Sequence, residues 1–318
     1  MKKRLFMTLS LSMAAVALAS CGNKNNKNNE EDNYKLNIAC PSGAPLMAIS
    51  GAVEADNIGH ELNIIEDTTT IPSIFQATQN REDIIVAPVN SGTALYNNEK
   101  SSYKLAAVIT WGNTYFASQK ANFTLNDING NAITLFGGTS INTGIAKYVL
   151  AKKNITPTEY LFPDPDEVKG ANQLLIQNAN AMVMTADPML TVAKSKKTIT
   201  SYSISDLYKE ITNHDYPQAA IFVNPDTYEE HKEKFDEFFG AVEQTCQKAE
   251  TNPSEVAEKS IALGIQQTKE ILTAAIPGCN LRYVKASDAK ADLAFAATEE
   301  GLKQYFGNKA PDNSFYLF

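Results

Sequence analysis

Glycines and hydroxyl side chains occur together in one short stretch, where an apolar run gives way to a helical pattern. It reads LFGGTSINTG over residues 135–144. Backbone N–H groups at such a turn, with the positive end of the helix dipole, can bind a carboxylate, sulfonate or phosphate, or a neutral polar group. Gly138, Thr139 and Ser140 are therefore candidate ligand-binding residues. Alternatively, Thr139 and Ser140 only cap the helix.

This stretch does not fit the stronger phosphate-binding motifs. A P-loop needs G-x-x-x-x-G-K-[ST], but Asn142 and Thr143 occupy the positions where its second glycine would fall. The dinucleotide fingerprint G-x-G-x-x-G fails at Thr139. The sequence therefore indicates neither of these nucleotide sites.

Ser140 comes close to a nucleophile motif. The nucleophile elbow G-x-S-x-G needs a final glycine for its sharp turn, and Asn142 occupies that position. A serine hydrolase would also need an acid and a base, for which Asp187 and His214 follow in the right order. Such an order arises easily by chance, so a hydrolase is only an alternative here.

Polar residues also follow other predicted strands. Open α/β sheets bind ligands at the carboxyl ends of their strands, although turn formation explains polar loops as well. The single tryptophan lies near one of these ends and could stack on a flat ligand or pack in the core. The further candidate ligand-binding residues are Ser42, Gly43, Asn90, Ser91, Trp111, Asn113 and Thr185.

The sequence contains no pattern typical of a metal site. His60, His214 and His231 are the only histidines and have no paired spacing. Pro163–Glu167 (PDPDE) is acidic but lacks the spacing of a calcium loop, and we interpret it as a solvated turn that caps the next helix. No motif indicates a cofactor.

Charge and cysteine content exclude further classes. The 318-residue chain has a net charge of −8 and no basic run, so a nucleic-acid partner is not expected. Outside the N-terminal leader only Arg81 and Arg282 occur, and neither follows a predicted strand, so an arginine clamp on an oxyanion is not expected. Cys40, Cys246 and Cys279 permit at most one disulfide, and we interpret them as buried apolar residues.

The N-terminus reads as an export signal. Residues 1–20 begin with basic residues and continue into an apolar run, Leu5–Leu18, the layout of a signal peptide. That run is shorter than the roughly 20 residues of a membrane helix. Leu-Ala-Ser-Cys at 18–21 resembles the bacterial lipobox, which implies that Cys21 is acylated with fatty acids such as palmitate. The polar run 21–33 is interpreted as a disordered tether.

Beyond residue 34, short apolar runs alternate with helical patterns, which is typical of α/β layers with mostly parallel sheets. Pro225–Phe306 contains no convincing strand and predicts a helical tail, with a helix restarting at Pro253. The predicted strands are Leu36–Cys40, Leu62–Ile65, Ile84–Pro88, Leu105–Thr110, Ala132–Phe136, Tyr160–Phe162, Ala181–Met184 and Ala219–Val223.

Several segments carry a family resemblance. Asp127–Pro157 and Leu175–Pro188 resemble phrases of solute-binding lipoproteins of ABC importers, of the nitrate, sulfonate, taurine and pyrimidine-precursor type. Ala274–Val284 (AAIPGCNLRYV) and Gly307–Tyr316 (GNKAPDNSFY) are similar to the endings of an uncharacterised branch. That branch usually has a lys-gly-pro-thr-gly loop where this chain has Pro41–Pro45 (PSGAP), so no relative's ligand is transferred.

The resemblance implies a type II periplasmic-binding fold, an α/β fold of two lobes with a ligand cleft between them. Each lobe would be a mixed, mostly parallel sheet flanked by helices. Lobe one would comprise residues 34–113 and 224–318, and lobe two residues 114–223. The chain would cross between them near Trp111–Phe116 and near Phe222–Pro225.

The function implied by the resemblance is capture of a small organic solute, anionic and heterocyclic compounds included. The protein would be a monomer, anchored to the outer face of a bacterial membrane through Cys21, and would deliver the solute to an ABC permease and its ATPase. It would not be an enzyme and would need no cofactor. Two alternatives remain: an enzyme on the same fold that uses Ser140 or Cys40, and a surface sensor without transport.

Overall fold

Two β-sheets organise the protein. The computed structural model describes residues 34–53 and 59–318. The signal peptide, Cys21 and the tether lie outside the described residues. The described residues form one compact unit, and none of their helices combines the length and hydrophobicity that a membrane span requires. The strands are β1 Leu36–Pro41, β2 His60–Ile65, β3 Ile84–Pro88, β4 Lys104–Thr110, β5 Thr114–Ser118, β6 Ala132–Thr134, β7 Glu159–Leu161, β8 Met182–Ala186, β9 Thr200–Ser203, β10 Ala219–Val223 and β11 Leu281–Lys285.

The first sheet has six strands in the order β11-β4-β10-β3-β1-β2, and the second has five in the order β7-β6-β8-β5-β9. Both are mixed: β10 pairs antiparallel with β3 and β4, and β5 pairs antiparallel with β8 and β9. The expected two-lobe α/β fold, with mixed sheets flanked by helices, is confirmed. We call the part built on the first sheet lobe one and the part built on the second lobe two.

Helices connect and cover these strands. Pro253 occupies the first turn of α10, as predicted from the fixed φ of proline. The helices are α1 Ala44–Ile49, α2 Ile71–Phe75, α3 Val89–Asn97, α4 Ile141–Lys152, α5 Val168–Gln177, α6 Met189–Lys194, α7 Ile204–Thr212, α8 Pro225–Glu230, α9 Lys232–Thr251, α10 Pro253–Ala262, α11 Lys269–Ala275 and α12 Ala286–Thr298, with 3₁₀ turns at Thr68–Thr70, Leu125–Ile128, Ile276–Cys279, Lys303–Phe306 and Asn313–Phe315.

The first sheet is buried on both faces. Successive side chains of a strand point to opposite sides of the sheet, so each strand contributes to two apolar clusters. In β3, Ile84 and Val86 pack in one apolar cluster with the helices of the C-terminal tail, such as Phe235 of α9. Ile85 and Ala87 belong to a second cluster on the other face, which continues into lobe two. The near-continuous apolar sequence of β3 and β10 follows from this double burial.

The structure places Ala219–Val223 differently from the sequence analysis. This strand, β10, lies in the first sheet between β3 and β4, whereas the sequence analysis assigned it to lobe two and put the crossing at Phe222–Pro225. The chain instead returns to lobe one through residues 213–218, between α7 and β10. The sequence AAIFV is fully buried and would suit a central strand in either sheet, so its composition could not decide between them.

Three strands were missed by the sequence analysis: β5 (TYFAS), β9 (TSYS) and β11 (LRYVK). The strands β9 and β11 lie at sheet edges, where polar and charged side chains protect the unpaired backbone. Their patterns are therefore weakly apolar. The prediction that Pro225–Phe306 contains no strand is wrong at β11.

Candidate ligand site between the two lobes

The strand register shows which sheet edges face each other. Pro88 and Thr110, the last residues of β3 and β4, both pair with Ala219 at the start of β10. In the second sheet, Thr114 at the start of β5 pairs with Ala186 at the end of β8. Only residues 111–113 separate Thr110 from Thr114, so these edges meet across a short crossing. The loops that leave them form the candidate ligand site, as expected for open α/β sheets.

A network of amide side chains connects the lobes at this site. The Asn113 amide donates to the carbonyl oxygen of Asp187 at 2.8 Å. The Gln218 amide donates to Asn113 Oδ1 at 2.9 Å and to Asn142 Oδ1 at 3.1 Å. The Tyr216 hydroxyl donates to the same Asn142 oxygen at 2.9 Å. Lobe two is thereby bonded to both crossings.

The sequence analysis named Asn113 as a ligand-binding candidate, which stays a prediction, and did not name Asn142, Tyr216 or Gln218 as candidates. Asn142 and Gln218 lie 76 residues apart. The sequence analysis mentioned Asn142 only because it occupies a position where the P-loop and the nucleophile elbow each need a glycine. No local pattern distinguishes an asparagine that reaches another lobe from one that faces solvent.

The glycine turn that opens α4 binds a carboxylate of the chain itself. The N–H of Gly137 donates to Asp166 Oδ1 and the N–H of Gly138 donates to Asp166 Oδ2, both at 2.7 Å. Gly137 has a φ of 67°, a left-handed conformation that favours glycine and helps to direct consecutive N–H groups the same way. The sequence analysis expected these N–H groups to be open to a ligand, and that expectation is corrected. The sequence analysis also expected the Pro163–Glu167 turn to cap the next helix, α5. The Asp166 side chain of that turn instead binds the glycine turn that precedes α4.

The hydroxyls beside this turn serve the helix. Ser140 is the N-cap of α4, and its side chain accepts the N–H of Thr143 at 3.4 Å. The Thr143 hydroxyl donates to the carbonyl oxygen of Phe136 at 2.9 Å. Thr139 is exposed. The capping alternative therefore holds for Ser140, and ligand contacts of Thr139 and Ser140 stay predictions.

In lobe one, Asn90 and Gly43 are the notable candidates. The Asn90 amide nitrogen donates weakly to the carbonyl oxygen of Tyr305 at 3.5 Å. Asn90 Oδ1 is buried and has no partner among the described residues. A buried oxygen without a donor is unfavourable by about 1–3 kcal/mol, so this atom is suited to a donor on a solute. Gly43 has a φ of 95° and open space where a side chain would be, and its neighbour Ser42 is exposed. Ser91, in the first turn of α3, is half-buried.

Two candidates are buried and contact other residues of the protein. The Trp111 side chain is only 2% exposed, its indole N–H donates to the Arg282 carbonyl oxygen at 2.9 Å, and the Arg282 guanidinium lies 4.4 Å from its ring centre. Thr185 is fully buried and its hydroxyl donates to Asn172 Oδ1 at 3.3 Å inside lobe two. Both side chains pack within the protein, and their ligand contacts stay predictions.

Further contacts hold the lobes together beside the site. The Tyr115 hydroxyl of lobe two donates to the Gly278 carbonyl oxygen of lobe one at 2.8 Å. The Asp187 carboxylate packs so closely on Gly278 that an added Cβ would lie 2.1 Å from its oxygen. Burial raises the pKa of Asp187, although its bonds to the N–H and hydroxyl of Thr191 oppose this. The two lobes therefore lie against each other.

Neither candidate nucleophile has a general base. Within the described residues, no histidine or carboxylate hydrogen bonds to Ser140 or Cys40. Cys40 is fully buried, which raises its thiol pKa well above the ordinary value. His214, the proposed base of a triad, hydrogen bonds to Asp292 at 2.9 Å and stacks on Phe295. A nucleophile needs a base within reach, so the enzyme alternative lacks support.

An open groove of about 810 Å³ lies elsewhere, on lobe one. Its lining includes Arg81, Lys100 and Lys309 with Glu99 and Asp312. These residues lie before β4 and in the C-terminal tail, at the opposite end of β4 from the crossing. Lobe two contributes no residue to its lining, so it is separate from the candidate site.

Comparisons with known proteins agree with this architecture. The model of the family described as NMT1/THI5 like matches residues 101–256, which include every strand of lobe two and both crossings. An ABC transporter protein from Parabacteroides distasonis superposes with a TM-score of 0.73 at 21% identity, covering 89% of this chain and 98% of that one. No curated protein sequence matches the chain.

Two sulfonate-binding proteins have the same fold. The aliphatic sulphonate binding protein SsuA from Escherichia coli gives a TM-score of 0.63 at 10% identity, covering 86% of this chain and 87% of its own. The alkanesulfonate-binding protein SsuA from Xanthomonas axonopodis pv. citri, bound to MOPS, gives 0.57 at 14% identity, with coverages of 87% and 94%. The chain thus has the fold of periplasmic ligand-binding proteins of ABC importers, and the resemblance noted in the sequence is confirmed at that level.

Proposed function

We propose that the protein is the solute-binding component of a bacterial ABC importer. It captures a small organic solute between its lobes and delivers it to a permease driven by an ATPase on other chains. The observation that carries this proposal is the facing of two sheet edges across residues 111–113 and 213–218. Amide side chains from lobe two and both crossings meet there, in an arrangement suited to closure around a ligand.

We further propose that it acts as a monomer at the outer face of the cell membrane, held by acylated Cys21. The acidic chain, the lipobox-like sequence and the fold of its structural relatives support this location. The tether 21–33 would let the lobes reach the permease. A surface sensor would use the same binding step without the permease.

Native mass spectrometry of the unit Asn33–Phe318 tests the binding step. This unit contains all of the described contacts, so it can be studied in soluble form. We expect a monomer that retains a stoichiometric small molecule through purification, and re-addition of that molecule should raise the melting temperature. Recovery of a chemically altered molecule would favour the enzyme alternative instead. Absence of any bound molecule, and of a thermal shift across a broad solute panel, would contradict solute capture.

A further inference from the structure

We propose that Asp166 determines the solute class of the interlobe site. Its carboxylate fills the oxyanion-binding turn at Gly137 and Gly138, so the site rejects carboxylate, sulfonate and phosphate head groups. It accepts instead an uncharged or cationic solute that donates hydrogen bonds. This inference rests on the proposed function, because it assumes that the interlobe site binds a solute.

The geometry of the turn is that of an anion site already occupied. Two consecutive N–H groups that precede a 12-residue helix, α4, favour a negative charge. Asp166 supplies that charge with one oxygen on each N–H, at 2.7 Å. Charge-assisted bonds of this length are strong. An oxyanion could use this turn only by displacing Asp166 or by lying beside a second negative charge.

The charge of the surrounding loops points the same way. The loops at the facing edges contain seven acidic residues, one histidine and no lysine or arginine. These loops are residues 41–44, 66–70, 89–91, 111–113, 135–140, 162–167, 187–188 and 213–218. His214 hydrogen bonds to Asp292, and the excess of negative charge in these loops disfavours an oxyanion and favours a positive charge or an N–H group.

Two of the basic side chains near these edges have partners of their own. Arg282 forms an ion pair with Asp215 at 3.0 Å while its guanidinium covers Trp111. Lys147 of α4 lies 4.8 Å from the ring centre of Tyr160 and 5.7 Å from that of Phe162. Neither is placed in one of the facing-edge loops. The strong, bidentate arginine recognition of an oxyanion is therefore not built into this site.

The site also presents an acceptor that needs a donor. Asn90 Oδ1 is buried without a partner among the described residues, while the amide nitrogen of the same side chain is directed to Tyr305. A solute N–H or O–H could satisfy this oxygen, whereas the oxygen of a carboxylate or sulfonate could not. The acceptor and the filled anion turn therefore select for the same kind of solute.

Removal of the Asp166 carboxylate tests the inference. In Asp166→Ala the two glycine N–H groups lose their internal acceptor and become available. The probes are sulfate and methanesulfonate, measured by isothermal titration calorimetry and thermal shift at constant ionic strength. We expect the wild-type protein to show no saturable binding, and Asp166→Ala to bind at least 10-fold more tightly than wild type. Asp164→Ala is the matched control, because Asp164 lies in the same exposed turn without contacting the glycines.

Two results would overturn the inference. One is saturable sulfate or methanesulfonate binding by the wild-type protein that is as tight as in Asp166→Ala. The other is a folded Asp166→Ala that gains no anion binding. If Asp166→Ala does not fold, Asp166→Asn carries the same expectation, because an amide offers only one acceptor oxygen to the two N–H groups.

The two proposals fail in different ways. A wild-type protein purified with a bound oxyanion would preserve solute capture and refute the role of Asp166. If the wild-type protein captures no solute but Asp166→Ala gains anion binding, the import proposal is refuted. The claim that Asp166 occupies the anion-binding turn would then still hold. An uncharged or cationic passenger, together with anion binding gained by Asp166→Ala, supports both.

Discussion

Asp166 accepts the backbone N–H groups of Gly137 and Gly138, which precede it by 29 and 28 residues, with one carboxylate oxygen each. The bond joins the loop after β7 to the loop after β6, two neighbouring parallel strands of lobe two. A turn whose sequence is suited to bind an external anion is thereby held by an internal one.

The amide network between the lobes should contribute measurably to the free energy of unfolding. Asn142→Ala removes the oxygen that accepts from both Tyr216 and Gln218. Leaving these largely buried donors unpaired should lower the free energy of unfolding by about 1–3 kcal/mol. Urea denaturation gives the value, and Gln247→Ala, at an exposed position of α9, should stay within about 0.5 kcal/mol of wild type. Equal stability of Asn142→Ala and the control would show that the network contributes nothing.

Two glycines in helices should respond oppositely to alanine. A Cβ at Gly92 would lie 2.3 Å from the Phe222 ring, so Gly92→Ala should destabilise by about 1–3 kcal/mol through overpacking. A Cβ at Gly240 in α9 meets no atom within 4 Å, and Gly240→Ala should stabilise by about 0.5–1 kcal/mol. Thermal melts of both variants check this. A stabilised Gly92→Ala would show that α3 does not pack against Phe222 of β10 as described.

Trp111 should matter for stability and not for solute contact. Trp111→Phe removes the indole N–H that bonds to the Arg282 carbonyl oxygen and leaves a small cavity. We expect a loss of about 1–3 kcal/mol in unfolding free energy. The dissociation constant of the co-purified solute should change less than threefold by calorimetry. A much weaker complex with unchanged stability would instead return Trp111 to the ligand site, as the sequence analysis suggested.

Asp187 should make stability depend on pH. Burial raises its pKa in the folded protein, so the folded state holds its proton to higher pH than the unfolded state does. Ionisation therefore costs stability as pH rises through the folded pKa, and the cost is absent at lower pH. Asp187→Asn keeps an oxygen for Thr191 and removes the charge. Its melting temperature should gain on wild type as the pH rises above the ordinary pKa of an aspartate; a difference that does not change with pH would contradict a raised pKa of Asp187.

The membrane anchor requires a test of its own. Metabolic labelling with a palmitate analogue should label the wild-type chain, and Cys21→Ser should abolish the label. Cys246→Ala, which removes a buried thiol of α9, should keep it. Label on Cys21→Ser would assign acylation to another residue, and an unlabelled wild-type chain would remove the lipid anchor from the proposal.

The sequence by itself determined the local elements and the class of fold. Alternating apolar runs and helical patterns located eight strands, because periodicity and burial are encoded over short distances. The cap at Ser140 and the start of α10 at Pro253 follow from the chemistry of single residues. The resemblance in four segments supplied the two-lobe architecture.

Only the tertiary structure decided which of these elements meet. The strand AAIFV fits any buried position, and its antiparallel place between β3 and β4 depends on the path of the chain. Asn142 finds Gln218 across 76 residues, and Asp166 binds a turn that precedes a different helix from its own. Hydrogen bonds between distant polar side chains leave no periodic trace in the sequence, since any exposed loop could carry the same residues. The character of the site is therefore set by long-range pairing, whereas the scaffold that holds it is set by local pattern.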